Sequence, residues 1–116
     1  MKISRIAEIL NAEILVCEEF ADSEVSSACG SDMMSDVLAF VKDQAILLTG
    51  LVNTQVIRTA EMMDMRCVVF VRSKVPNQEI LDLAKKCNIV VMKSKKRMYE
   101  ACGLLYTNGL NNTKEA

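Results

Sequence analysis

Six basic residues sit in two short clusters that each follow an apolar, β-branched run. Arg72 and Lys74 come just after Cys67-Val68-Val69-Phe70-Val71, and Lys93, Lys95, Lys96 and Arg97 come at the end of Ile89-Val90-Val91-Met92. Cations placed where strands end are chemistry for holding an anion, because charge-assisted hydrogen bonds to phosphate or carboxylate are the stronger ones. Other constellations are missing. The chain has no histidine, which removes the commonest general base and the commonest metal ligand. Its five cysteines, Cys17, Cys29, Cys67, Cys87 and Cys102, are odd in number and show no C-x-x-C spacing. Cys67, Cys87 and Cys102 each sit within an apolar pattern, so all five are expected to be reduced and dispensable for activity. Neither a Walker-type nor a dinucleotide-type glycine loop is present, and there is no nucleophile elbow. Asp32 and Asp36 lie four apart and could share a helix face around a cation, but an N-cap followed by a first-turn acid explains them more simply. No catalytic residue, metal site or cofactor is assigned from the sequence.

The elements that position these residues are legible from hydrophobic period. Ile3, Ile6, Ala7 and Leu10 repeat at helical spacing, with Ser4 placed to cap. Glu13 to Cys17 reads as a strand, Glu18 to Asp22 as an acidic turn, and Val25 to Gly30 as an extended segment of small residues. Met34, Val37, Leu38 and Val41 mark a second helix, capped by Ser31 or Asp32 and closed by Lys42-Asp43-Gln44. Ala45 to Thr49 is a continuous apolar run that suits a strand buried on both faces. Asn53 caps a helix running to about Met65, with Val56, Ile57, Ala60 and Met63 facing inward. Pro76 stands where the next helix begins, and Ile80, Leu83, Ala84 and Cys87 form its stripe. Met98, Ala101, Cys102 and Leu105 mark a last helix that Gly109 ends. The alternation of strand and helix from residue 45 onward predicts one α/β domain over residues 1–110, with a mainly parallel sheet and helices on its faces. Residues 111–116 read as a flexible tail, and Leu110 as the start of that frayed segment.

Composition narrows the class. In 116 residues, 51% are hydrophobic and 25% charged, and the net charge is -1. That describes a globular domain with a real core, without a global attraction to nucleic acid or membrane. No apolar run is long enough to span a bilayer, and Glu8, Asn11 and Glu13 interrupt any signal-peptide core, so a cytoplasmic location is expected.

Three stretches resemble stand-alone DRTGG domains: Gly30-Ser31-Asp32-Met33-Met34-Ser35-Asp36-Val37-Leu38-Ala39-Phe40, Leu47-Leu48-Thr49-Gly50-Leu51 running into Asn53 through Glu61, and Tyr99 through Tyr106. The likeness spans Ile3 to about Leu110. The eponymous motif is degenerate: Asp22 is kept, but Ser23 stands for Arg, Ser26 for Thr, and Ser27 and Ala28 for the two glycines. This copy therefore lacks the motif's positive charge and bare backbone. The resemblance implies a non-enzymatic regulatory or oligomerisation module, similar to the N-terminal domain of HPr kinase/phosphorylase and found elsewhere beside CBS domains. It implies a homodimer, with a partner enzyme or CBS-domain protein as a further partner. Met62, Met65 and Leu104, which helical phase puts off the core stripes, are the expected dimer contacts. The alternative function is a sensor for a nucleotide or other phosphorylated small molecule, held at the carboxyl edge of the sheet by Thr49, Gly50, Asn53, Arg72, Lys74, Lys93 and Lys95.

Overall fold

The computed structural model describes residues 1–40 and 45–111. Val41, expected on the stripe of the second helix, Lys42, Asp43 and Gln44, expected to close it, and the tail from residue 112 lie outside the described residues. Five strands, β1 (Glu13–Val16), β2 (Ser27–Gly30), β3 (Ala45–Thr49), β4 (Cys67–Phe70) and β5 (Val90–Lys93), form a single sheet in the order β1-β5-β4-β3-β2. The last four run parallel, as the strand–helix alternation predicts. β1 pairs antiparallel with β5, with a bulge between Ile14 and Val16, and so protects one edge of the sheet. The sequence gives no sign of this antiparallel pairing, because a four-residue edge strand carries too little pattern to reveal its direction.

Strand side chains alternate between two cores. Ile46, Leu48, Cys67, Val69, Val90 and Met92 pack beneath α1 (Ile3–Leu10) and α5 (Met98–Thr107). Ala45, Leu47, Val68, Phe70 and Val91 face α2 (Met34–Phe40), α3 (Thr54–Met62) and α4 (Gln78–Lys86). Every residue of β3 and β4 is buried, which is the reason those strands read as unbroken apolar runs.

The helix ends share one device. α3 closes with Asp64 in the left-handed region (φ 56°), and Met65 N–H donates back to the Ala60 carbonyl at 2.8 Å. α4 closes the same way, through Asn88 (φ 58°) and Ile89 to Ala84 at 3.0 Å, and α5 through Gly109 (φ 110°) and Leu110 to Leu105 at 3.0 Å. These are Schellman turns, in which the apolar residue after the left-handed one folds back onto its own helix. They correct two expectations. Met65 is not a surface contact but is 3% exposed, and Leu110 belongs to the α1/α5 core instead of a frayed tail. The start of α1 also differs. Lys2 is the N-cap and makes no side-chain cap bond; Ile3 and Ser4 donate their N–H groups to the carbonyls of Ser23 and Ala21. Loop carbonyls thus do the work that a Ser4 cap was expected to do.

Candidate functional site

The carboxyl ends of β3, β4 and β5 meet at one edge, where two loops are knitted together. Val71 to Lys74 form a tight turn, closed by Lys74 N–H donating to the Val71 carbonyl at 3.2 Å. Arg72 (φ 59°) and Ser73 (φ 60°) occupy its two central positions, both left-handed. That is a type I′ turn, which normally takes Asn and Gly because each L-residue with a Cβ costs roughly 1–2 kcal/mol there. The turn is tied to the next loop by Arg72 N–H to the Lys96 carbonyl (2.8 Å) and Ser73 N–H to the Ser94 carbonyl (3.0 Å). Ser94 is 3% exposed; its hydroxyl donates to the Leu10 carbonyl at 2.8 Å and accepts from Lys96 N–H at 3.2 Å. Both loops are therefore fixed before anything binds.

Between them lies an open cleft of about 580 Å³ lined by Arg72, Ser73, Lys95 and Arg97. Three of these residues are cationic and the fourth carries a hydroxyl. Beyond the ridge of Ser73 and Lys95, a second depression of about 350 Å³ is lined by Asn11, Glu13, Val75, Lys93 and Ser94 as well. Ion pairs separate the cations into two kinds. Lys93 faces Glu13 at 3.7 Å, Lys96 faces Glu100 at 3.9 Å, and Arg72 faces Asp32 at 3.5 Å. Lys74, Lys95 and Arg97 have no carboxylate within ion-pair distance among the described residues. Lys95 and Arg97 line the first cleft; Lys74 lines neither depression.

The remaining expected ligand contacts are engaged within the chain. Asp32 does not cap α2. Its Oδ1 accepts from Gly50 N–H at 2.7 Å and from the Thr49 hydroxyl at 3.1 Å, so a side chain of the protein itself occupies the anion position at the end of β3. The Asn53 side chain caps α3, accepting from Val56 N–H at 3.1 Å. The Arg72 guanidinium lies across Gly50: a Cβ added there would stand 2.7 Å from Arg72 Cζ. A side chain at 50 would push the half-exposed guanidinium aside, so the bare backbone of Gly50 is what lets Arg72 lie where it does. The structure joins Thr49, Gly50 and Arg72 through Asp32, and joins Arg72, Ser73, Lys95 and Arg97 in the cleft. Sequence reasoning missed Asp32, Ser73 and Ser94 in these roles, because each depends on a partner distant in the chain. Asn11 sits in a left-handed conformation beside the second depression, and no spacing rule links it to Lys93.

All five cysteines are free thiols. Burial pushes each thiol pKa up, most strongly at the fully enclosed Cys67. These residues are held in the unreactive protonated form, opposite to what a nucleophile needs. For Cys67 the folded pKa lies above the ordinary value of 9.0, so the folded state keeps a proton that the unfolded state loses. Stability is complete below about pH 9 and falls above it, by at most about 1.4 kcal/mol per pH unit from this group. Chemical denaturation at pH 8.0 and 10.0 should show a loss at the higher pH that is smaller in Cys67→Ala; an equal loss in both proteins would contradict this account. Among the described residues no group of three or more His, Cys, Asp or Glu could hold a metal ion, and no helix is long and apolar enough to cross a membrane.

The fold and the site together define a three-layer α/β domain with a basic carboxyl edge. The family model of the DRTGG domain matches residues 5–107, and the chain belongs to that family. A solved structure of the CBS and DRTGG domains of the regulatory region of Clostridium perfringens pyrophosphatase, complexed with the activator diadenosine tetraphosphate, has the same fold. The TM-score is 0.72 at 21% identity, and the match covers 90% of this chain and 45% of that one. The present chain therefore corresponds to less than half of that regulatory region. No curated protein matches the chain.

Proposed function

We propose that this domain is a non-catalytic regulatory module that binds a phosphate-bearing small molecule in the cleft of Arg72, Ser73, Lys95 and Arg97. The observation that carries this reading is the strained turn. Two consecutive non-glycine residues in the left-handed region are costly, and such strain persists where it serves a site. Here it aims Arg72 and Ser73 into a cleft that also receives Lys95 and Arg97, two of the three cations without a carboxylate partner among the described residues. The lining offers charge-assisted donors and no general base, which suits retention of an anion and not its chemical conversion. The polyphosphate activator of the clostridial regulatory region supports the same ligand class. The module then acts in the cytoplasm, by passing occupancy of the cleft to a partner enzyme or CBS-domain protein. A second copy of the chain is the other partner in this reading. The exposed tyrosines of α5, Tyr99 and Tyr106, supply apolar surface for it.

Thermal unfolding with diadenosine tetraphosphate, ATP, inorganic phosphate and, as a neutral control, adenosine tests the ligand class. A phosphate compound at a hundred times its dissociation constant should stabilise the fold by about 2.7 kcal/mol. At this chain length that is roughly 10 °C in melting temperature. No shift with any phosphate compound, or an equal shift with adenosine, would exclude an anion site.

A further inference from the structure

We infer that two copies of the chain pair through α5, antiparallel across Gly103, with Tyr99 of each copy filling the hollow between α5 and β2 of the other. The inference rests on the reading that the chain self-associates and gives that association a place. Three observations carry it. Tyr99 is 92% exposed and Tyr106 58%, on one outer strip of α5 that also holds Cys102 and Gly103. Beside that strip lies an apolar hollow of about 170 Å³, lined by residues that include Ala28, Gly30, Leu48, Cys102, Tyr106 and Leu110. Gly103 is in the middle of a ten-residue helix, where glycine is weaker than alanine, yet among the described residues nothing lies within 4 Å of the position its Cβ would take. No contact among the described residues explains that glycine. Close approach of another helix does.

The geometry favours a second copy as the occupant. At 1.5 Å per residue, Tyr99 precedes Gly103 by about 6 Å and Tyr106 follows it by about 4.5 Å, and Leu110 lies just past the helix end, turned back onto Leu105. An antiparallel crossing centred on Gly103 therefore sets each Tyr99 against the partner's Tyr106–Leu110 end, where the hollow opens. Projection and hollow are on the same face, which is what an isologous two-fold contact requires. Glu100 is the one charged residue in α5, and it is engaged with Lys96, so two such faces meet without strong repulsion. With Tyr99 92% and Tyr106 58% exposed, two copies still have roughly 450–750 Å² of tyrosine surface to bury, at about 150–250 Å² for a whole ring. A stable interface needs about 1,200–2,000 Å² in total, so the tyrosines would provide roughly a third to a half of it. Leu104, in contrast, is partly buried against the α1/α5 core and lies at the rim of this contact.

Light scattering on a sizing column, with the full chain at 10–200 µM, should give twice the 12.9 kDa chain mass for the wild type. Tyr99→Glu and Gly103→Arg should each halve that mass while leaving the far-ultraviolet circular dichroism unchanged, since both positions are exposed. Gly103→Cys should cross-link to a covalent dimer under mild oxidation, and Met62→Cys should not. A wild-type monomer throughout that range overturns self-association itself. A dimer that survives both α5 variants, or that cross-links through Met62→Cys alone, overturns the α5 contact and moves the interface to α3.

Discussion

Asp32→Ala should lower the stability of the domain by about 2–3 kcal/mol, roughly 10 °C in melting temperature. The half-exposed carboxylate would not suggest so large an effect; its partners do. Gly50 and Thr49 are buried at the end of β3, and Asp32 Oδ1 accepts from both. Removing it leaves a backbone N–H and a hydroxyl short of an acceptor in a place where water has poor access, and leaving buried groups unpaired costs more than a hydrogen bond is worth on average. Asp32→Asn keeps an acceptor oxygen and should lose about 1 kcal/mol. Arg72→Ala should cost less than Asp32→Ala, because the Arg72–Asp32 pair is half-exposed and long at 3.5 Å. Urea denaturation of the three variants checks the ranking; an Arg72→Ala loss equal to that of Asp32→Ala would show that the ion pair, and not the two hydrogen bonds, joins β3 to the loop before α2.

The second large effect is on binding. Lys95→Ala combined with Arg97→Ala should abolish the stabilisation by phosphate compounds, a loss of up to about 2.7 kcal/mol at a hundredfold excess over the wild-type dissociation constant. The variant without ligand should stay within about 0.5 kcal/mol of the wild type, because both side chains are exposed and neither forms an ion pair among the described residues. Lys93→Ala with Lys96→Ala removes the same formal charge but takes away cations already facing Glu13 and Glu100. That variant should retain most of the ligand effect. Equal losses in the two double variants would mean that the protein responds to net charge and has no defined cleft.

Hydrophobic period made the parallel sheet, its helices and the basic edge legible, because each of those features repeats over several adjacent residues. It failed where a single residue acts through a distant partner. Met65 looked peripheral because the helical phase was carried past the true end of α3 at Met62, and Leu110 because it follows the helix-ending Gly109, yet the left-handed residue before each turns it back onto the core. The sequences Met63-Asp64-Met65, Cys87-Asn88-Ile89 and Asn108-Gly109-Leu110 each place Asp, Asn or Gly before an apolar residue, and that is the signal by which these turns could be found. Asp32 followed the rule for a helix cap and instead crosses to Gly50, a contact that local spacing does not encode. The basic edge had a similar fate. Position in the chain brought Arg72, Ser73, Lys95 and Arg97 to one end of the sheet, but only the folded loops show these four sharing one cleft and Glu13 answering Lys93.

The most direct test of an anion site at this edge is a residue-resolved one. In a titration of the ¹⁵N-labelled protein with diadenosine tetraphosphate, followed by amide chemical shifts, the largest changes should fall on Ser73, Lys95 and Arg97, with Arg72 alongside, and should be absent with adenosine. Changes centred on Asn53 and Thr54 at the start of α3, or no change at millimolar ligand, would contradict the assignment of the cleft.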